Sequence, residues 1–286
     1  MTVKHILLPL TGEPGSADAA ICGMTLAKQL GAHVTAGYQD GMGPLYFGPD
    51  MSGAAFTYGI FYEQMQKVRL ERKVLARKHF DRAVAATKLP IVSTPVCKQG
   101  SAMWFGDRNH EDAPLSIFGA LTDLVVLEMP GSRLGPVAWN VVEEALFKAH
   151  RAALIIPPGT KSVSFLKPLI AWNGSSEAAR AVERVIDLFE PNAKVMVLQI
   201  GEIKGGRVPS EQLMDYLGWH CLDAELRRVP DRPDETCQIL LDEARRVGAD
   251  CIVMGAYSHS RTRELLLGGV TEFMLRHALL PVLMAH

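Results

Sequence analysis

Short apolar runs alternate along this chain with longer stretches whose apolar residues recur at helical spacing. Near the start, His5-Ile-Leu-Leu-Pro-Leu-Thr11-Gly12 predicts a strand that ends in a turn, and an alanine-rich stretch from Ser16 to Leu30 predicts a helix. A strand over Ala32 to Tyr38 follows. Halfway along, the same sequence of features returns. Pro168-Leu-Ile-Ala-Trp-Asn173-Gly174-Ser175-Ser176 leads into a helical stretch from Glu177 to Phe189 and a strand from Lys194 to Ile200. Each half then places an aspartate before an apolar run, Asp123-Leu-Val-Val-Leu and Asp250-Cys-Ile-Val-Met. Each closes on a helix and a last apolar strand, Ala152-Ala-Leu-Ile-Ile-Pro157 and Leu280-Pro-Val-Leu-Met. Strands apolar on both sides and separated by helices imply parallel sheets covered on both faces. The expected architecture is therefore α/β, with two tandem doubly wound domains over 1–158 and 165–286. Pro157-Pro-Gly-Thr-Lys-Ser-Val has the turn chemistry of a linker between them.

Two segments break the repeat. Residues 39–58 are glycine-rich and carry Met42, Tyr46, Phe47, Met51, Phe56 and Tyr58, a long insertion that reads as a packing or interface loop or as a lid over an apolar ligand. After it, Ile60 to Ala86 predicts a long helix on which Phe61, Met65, Val68, Leu75 and Val84 share one face. The second break is chemical. Aligning Asp123 with Asp250 sets Glu128 opposite Gly255 and Gly131 opposite Ser258. The first-half loop, Glu128 to Gly135, is shorter, and its Pro130 removes an amide donor. An acidic side chain there opposes a phosphate, so any anion site in the first half is expected to be lost.

Bulk properties narrow the function. The 286 residues are 48% hydrophobic and 21% charged, with a formal net charge of -1 and a pI near 6.8. Such a balance offers no basic surface for nucleic acid or for an anionic membrane. No apolar run approaches the ~18 residues of a membrane span. Five cysteines without a Cys-x-x-Cys pair fit free thiols in a reducing, cytoplasmic setting. There is no Gly-x4-Gly-Lys-Ser/Thr loop, no Gly-x-Gly-x-x-Gly after a first strand, no His-Glu-x-x-His and no close Cys/His set. No metal ligands and no catalytic residues are assigned. Ser175 and Ser176 read as helix caps, with Glu177 favouring the positive helix end.

The C-terminal stretch carries the most specific chemistry. Cys251-Ile-Val-Met-Gly255-Ala-Tyr-Ser258 runs from a buried strand into a small-residue loop. Gly268-Gly269 and Thr271 then open a helical pattern. Backbone amides brought to the carboxyl edge of a parallel sheet suit a phosphate. This segment resembles the nucleotide loop of the universal stress protein family, Gly-x2-Gly-x9-Gly-(Ser/Thr). Gly255 and Gly268 match that pattern, while Ser258 and Gly269 depart from it. The resemblance extends over nearly the whole chain as two tandem domains of the adenine nucleotide alpha hydrolase-like type. It implies ATP or AMP, with or without Mg2+, as a regulatory ligand of a stress-response protein. The implied contacts are Asn173 in place of the family's aspartate beside the nucleoside, Ile200 against adenine, and Gly255, Ser258, Gly268 and Gly269 at the phosphates. Arg261 is a further candidate cation. It also implies that the halves pair within the chain, as separate domains do in a dimer, or that the chain forms a homodimer. A stress or interaction protein without a nucleotide, or a module for a small apolar ligand, are the alternatives. Gly255→Glu is expected to abolish phosphate binding and leave the fold intact.

Overall fold

Among the described residues, ten strands and seven helices form the fold. The computed structural model describes residues 3–40, 55–94, 96, 99–105, 115, 119–130, 136–232, 234–256 and 269–286. The first half runs β1 (His5–Leu10), α1 (Pro14–Leu30), β2 (His33–Tyr38), α2 (Ala55–Thr87), β3 (Ser101–Trp104), β4 (Leu124–Glu128), α3 (Pro136–Glu143), a π-helical turn (Glu144–Lys148) and β5 (Ala152–Ile156). The second runs β6 (Pro168–Ala171), α4 (Ser176–Val185), a 3-10 turn (Ile186–Leu188), β7 (Lys194–Ile200), α5 (Ser210–Trp219), β8 (Asp223–Val229), α6 (Thr236–Val247), β9 (Cys251–Gly255), α7 (Gly269–His277) and β10 (Val282–Ala285).

The strands form one sheet in the order β3-β2-β1-β4-β5-β10-β9-β6-β7-β8. Within each half every pairing is parallel. The halves join where β5 and β10 pair antiparallel, Leu283 opposite Leu154. The sequence implied a parallel sheet in each half and left open whether their last strands pair within the chain or between chains; here they pair within it. Each final strand is apolar on both faces, and pairing the two removes two exposed edges at once. One core covers each face, and both cores run across the join. Ile6, Leu8, Leu154, Val253 and Leu283 lie under α1, α2, α4 and α5. Val125, Ile155, Ile252, Val282 and Met284 lie under α3, α6 and α7.

The two repeated aspartates tie strand starts together. Asp123 Oδ2 accepts hydrogen bonds from the backbone N–H of Lys4 (2.7 Å) and His5 (2.9 Å), beside β1. Asp250 Oδ2 accepts from Leu166 (2.9 Å) and Lys167 (3.0 Å), beside β6. A carboxylate serving two main-chain donors fixes the neighbouring strand in register, which is why the aspartate precedes the same strand in each half.

The long helix corrects one expectation. Val68 and Leu75, assigned to its buried face, are 39% and 42% exposed. The buried stripe is Ala76, Phe80, Ala83 and Thr87, a different side of the helix. Small residues win the contact because α2 lies along α1, itself alanine-rich, and close approach of two helices needs small side chains there. Phe80 fills the gap beside Trp104, ring centroids 5.3 Å apart. The insertion at 39–58 lies outside the described residues between 41 and 54, and so does its proposed lid role.

Candidate functional site

In a doubly wound sheet the ligand crevice lies where successive connections leave to opposite sides. In the second half that place is between β6 and β9, which pair as Ala171 with Met254. Two residues past β6 stands Asn173, and β9 ends at Gly255. The equivalent place in the first half is between β1 and β4, with Thr11 and Glu128 at the strand ends.

Each crevice opens on a helix. After Thr11 and Asn173 the chain turns through Gly12 (φ 77°) and Gly174 (φ 73°), a left-handed conformation that a side chain resists. The residue after each glycine is extended and precedes the first turn of α1 or α4. In the second half that residue is Ser175, whose Oγ accepts from Ala178 N–H at 3.2 Å, the cap expected from the sequence.

The two crevices are then filled in reciprocal ways. In the first half Glu128 projects from β4 across the start of α1. Its Oε1 accepts a short hydrogen bond from Thr11 Oγ1, and its Oε2 is buried with no hydrogen-bond partner among the described residues. Gly15 makes room for it: a Cβ there would lie 2.8 Å from Glu128 Oε2. In the second half the glycine is on the strand and the glutamate on the helix. A Cβ on Gly255 would lie 2.5 Å from the backbone N of Ala178 and 2.9 Å from Glu177 Cβ. Gly255 is therefore required by the close approach of the helix backbone, and it carries no left-handed φ. This corrects the expectation for Gly255→Glu: no side chain fits at that position without moving α4, so the variant tests the fold as much as the ligand.

Burial is the main cause that pushes the Glu128 carboxyl up to about 7; Glu13 raises it further, against the Thr11 hydrogen bond, the nearby Ser16 N–H and Arg72. Arg72 reaches across from α2 to Glu13 at 2.5 Å. Glu177 behaves oppositely. Burial pushes it up, but hydrogen bonds from its own N–H and from the Ser176 and Ser175 hydroxyls, with His286 nearby, hold it below the ordinary carboxylate value. The amino end of α4 thus holds an anionic side chain of its own chain, in keeping with the helix dipole.

Asn173 is exposed. Its Oδ1 accepts from Ser175 N–H at 3.0 Å, so that acceptor serves the turn, and its backbone oxygen accepts from Arg207 Nη1 at 3.2 Å. Ile200 is half-buried at the end of β7, opposite Val229. Gly269 begins α7 with open space around it. Asn173 and Gly255 come together at the switch point, and Ile200 ends the strand beyond β6. Ser258, Arg261 and Gly268 lie outside the described residues, as do His259 and Arg263. Trp172 is buried, its Nε1 unpartnered.

Three neighbours escaped the sequence reading. Glu177 was taken only as a helix-end charge. His286 Nδ1 lies 3.0 Å from the Ala256 oxygen, and its ring packs edge-on against Phe147 of the first half, centroids 4.6 Å apart. Arg207 lines a groove of about 380 Å³ beyond β7, with Gln199, Ile203, Lys204, Ser210 and Arg228. The only sequence signal for that groove was the Gly205-Gly206 pair. Among the described residues no group of three His, Cys, Asp or Glu is placed to hold a metal ion, and no described helix is long and apolar enough to cross a membrane.

This sheet order defines a tandem, doubly wound α/β protein. Residues 231–286 match the Universal stress protein family, and the whole chain has the fold of a tandem universal stress protein. A universal stress protein from Archaeoglobus fulgidus superposes with a TM-score of 0.60 at 16% identity, covering 100% of this chain and 99% of its own. A putative universal stress protein from Pseudomonas aeruginosa is 10% identical over 99% of this chain and 93% of its own, with a TM-score of 0.48. A universal stress protein solved in complex with cAMP is 21% identical over 43% of this chain and 98% of its own, with a TM-score of 0.33. No curated protein matches the chain.

Proposed function

We propose that this chain is a stress-response protein that binds an adenine nucleotide, ATP or AMP, at the switch point of its C-terminal half. The ligand acts by stabilising or reshaping the protein, not as a substrate of rapid turnover. The observation that carries this reading is the asymmetry of the two crevices. A buried carboxylate fills the end of β4, whereas no carboxylate stands on β9, whose last residue, Gly255, packs directly on the start of α4. Beside it Asn173 is exposed, and Arg207 and Lys204 bring positive charge to the neighbouring groove. Ile200 offers apolar surface to a base. The residues 1–158 and 165–286 then serve as closed and ligand-binding domains, in a cytoplasmic protein.

One observation favours a second reading, a regulator that needs no nucleotide: Glu177 already sits at the amino end of α4. Ligand titration of thermal stability separates the two. Binding to the folded state raises the melting temperature with the logarithm of free ligand above its dissociation constant. The nucleotide reading expects that rise with ATP or AMP and its loss in Asn173→Ala combined with Arg207→Ala. A flat response to ATP, ADP and AMP, with and without magnesium, rejects it in favour of the second.

A further inference from the structure

The sheet has two ends, and they differ. β3 has four residues, whereas β8 is a seven-residue strand, Asp223-Ala-Glu-Leu-Arg-Arg-Val229, paired on one side only among the described residues. Its register with β7 fixes which backbone groups remain free. Val229 O accepts from Gly201 N–H at 2.8 Å, so Val229 points its backbone groups at β7. Backbone groups alternate along a strand. Arg227, Glu225 and Asp223 therefore also bond inward, and Ala224, Leu226 and Arg228 present their N–H and C=O groups outward.

Charges usually protect such an edge from other strands. Here their order does the reverse for one partner. We propose that β8 is a self-association edge, on which a second copy of this chain docks antiparallel about a two-fold axis at Leu226. In that register Glu225 lies opposite the second copy's Arg227, and Arg227 opposite its Glu225. Leu226, half-buried, meets its own counterpart. The three outward residues form hydrogen-bonded pairs, Leu226 with Leu226 and Ala224 with Arg228, about six backbone bonds in all. Glu225 and Arg227 fall in the non-bonded pairs, where side chains approach most closely.

Neighbouring registers are disfavoured by the same charges. An axis at Glu225 sets that residue against itself, an axis at Arg227 does the same for the arginine, and an axis at Ala224 pairs Asp223 with Glu225. Like charges directly opposite one another destabilise a strand pair. The strand is also held for docking. Arg227 makes two hydrogen bonds to Glu243 of α6 (2.7 and 2.9 Å), and Arg228 bonds Glu211 of α5 on the other face. The β5–β10 join already occupies the other edge of each half, so the second copy adds its sheet at an edge with which no other described strand pairs.

Sedimentation of the full chain across micromolar to submillimolar concentrations tests this. The wild type is expected to dimerise, and Glu225→Arg, at an exposed position, to raise the dimer dissociation constant at least about tenfold, with unchanged circular dichroism. Arg227→Glu is expected to do likewise. Mixing the two variants restores opposite charges in both pairs, so the mixture associates where neither variant does alone. A wild type monomeric throughout overturns the proposal. So does a dimer indifferent to Glu225→Arg, or a mixture of folded variants that stays monomeric.

Discussion

Glu128 is held at the end of β4 with one oxygen bonded by Thr11 and the other buried, and it keeps its proton to a pH near neutrality. Its pKa lies at about 7 in the folded chain, raised chiefly by burial from an ordinary 4.5. A raised carboxyl binds more protons folded than unfolded, so its contribution is complete below pH 4.5 and falls away as pH climbs towards 7. The loss over that window is roughly 3 kcal/mol. Glu128→Gln keeps the hydrogen bond and removes the charge. Denaturant titrations at several pH values should show that variant losing less stability between pH 4.5 and 8 than the wild type. Equal slopes would contradict the assignment. At the matching position Gly255→Ala meets the backbone of α4, and chemical denaturation should show it destabilised by about 2 kcal/mol or more. The sequence displayed the Glu128–Gly255 exchange. It did not display that Gly15 and Glu177 complete it, because that pairing depends on how closely each helix approaches its strand.

At the scale of elements, the first helix of each half begins on the same plan, yet α1 has no side-chain cap at Glu13 whereas α4 is capped by Ser175. Ser175→Ala should cost about 1 kcal/mol in thermal or denaturant unfolding, since Ala178 N–H loses its acceptor. No measurable change would mean that solvent or Glu177 replaces the hydroxyl. The apolar runs gave the strands β1, β2, β4 to β7, β9 and β10 because burial on both faces leaves a continuous signature. Edge strand β3 was not read, since Ser101-Ala-Met-Trp104 has no branched aliphatic residue, unlike β6 and β10 of the same length. The face of α2 was misread for a related reason. Alanines at 76 and 83 pack against another helix, and apolar bulk alone points to Val68 and Leu75 instead. The cap at Ser175 was legible because a cap is local chemistry.

For the whole molecule, one sheet and two cores continue through the β5–β10 join. Calorimetry should therefore show a single cooperative transition with calorimetric and van't Hoff enthalpies in agreement; two separated transitions would mean that the join is weaker than its continuous packing implies. The repeat told of two halves, but the fusion itself was hidden, because any two apolar final strands are equally able to pair within a chain or between chains. What distinguishes the halves is the crevice at each switch point, closed by Glu128 in one and ending on Gly255 in the other. Equilibrium dialysis of the full-length chain against ATP counts the open crevices. One nucleotide per chain at saturation, unaffected by Glu128→Gln, is the predicted result; none, or two, would contradict it.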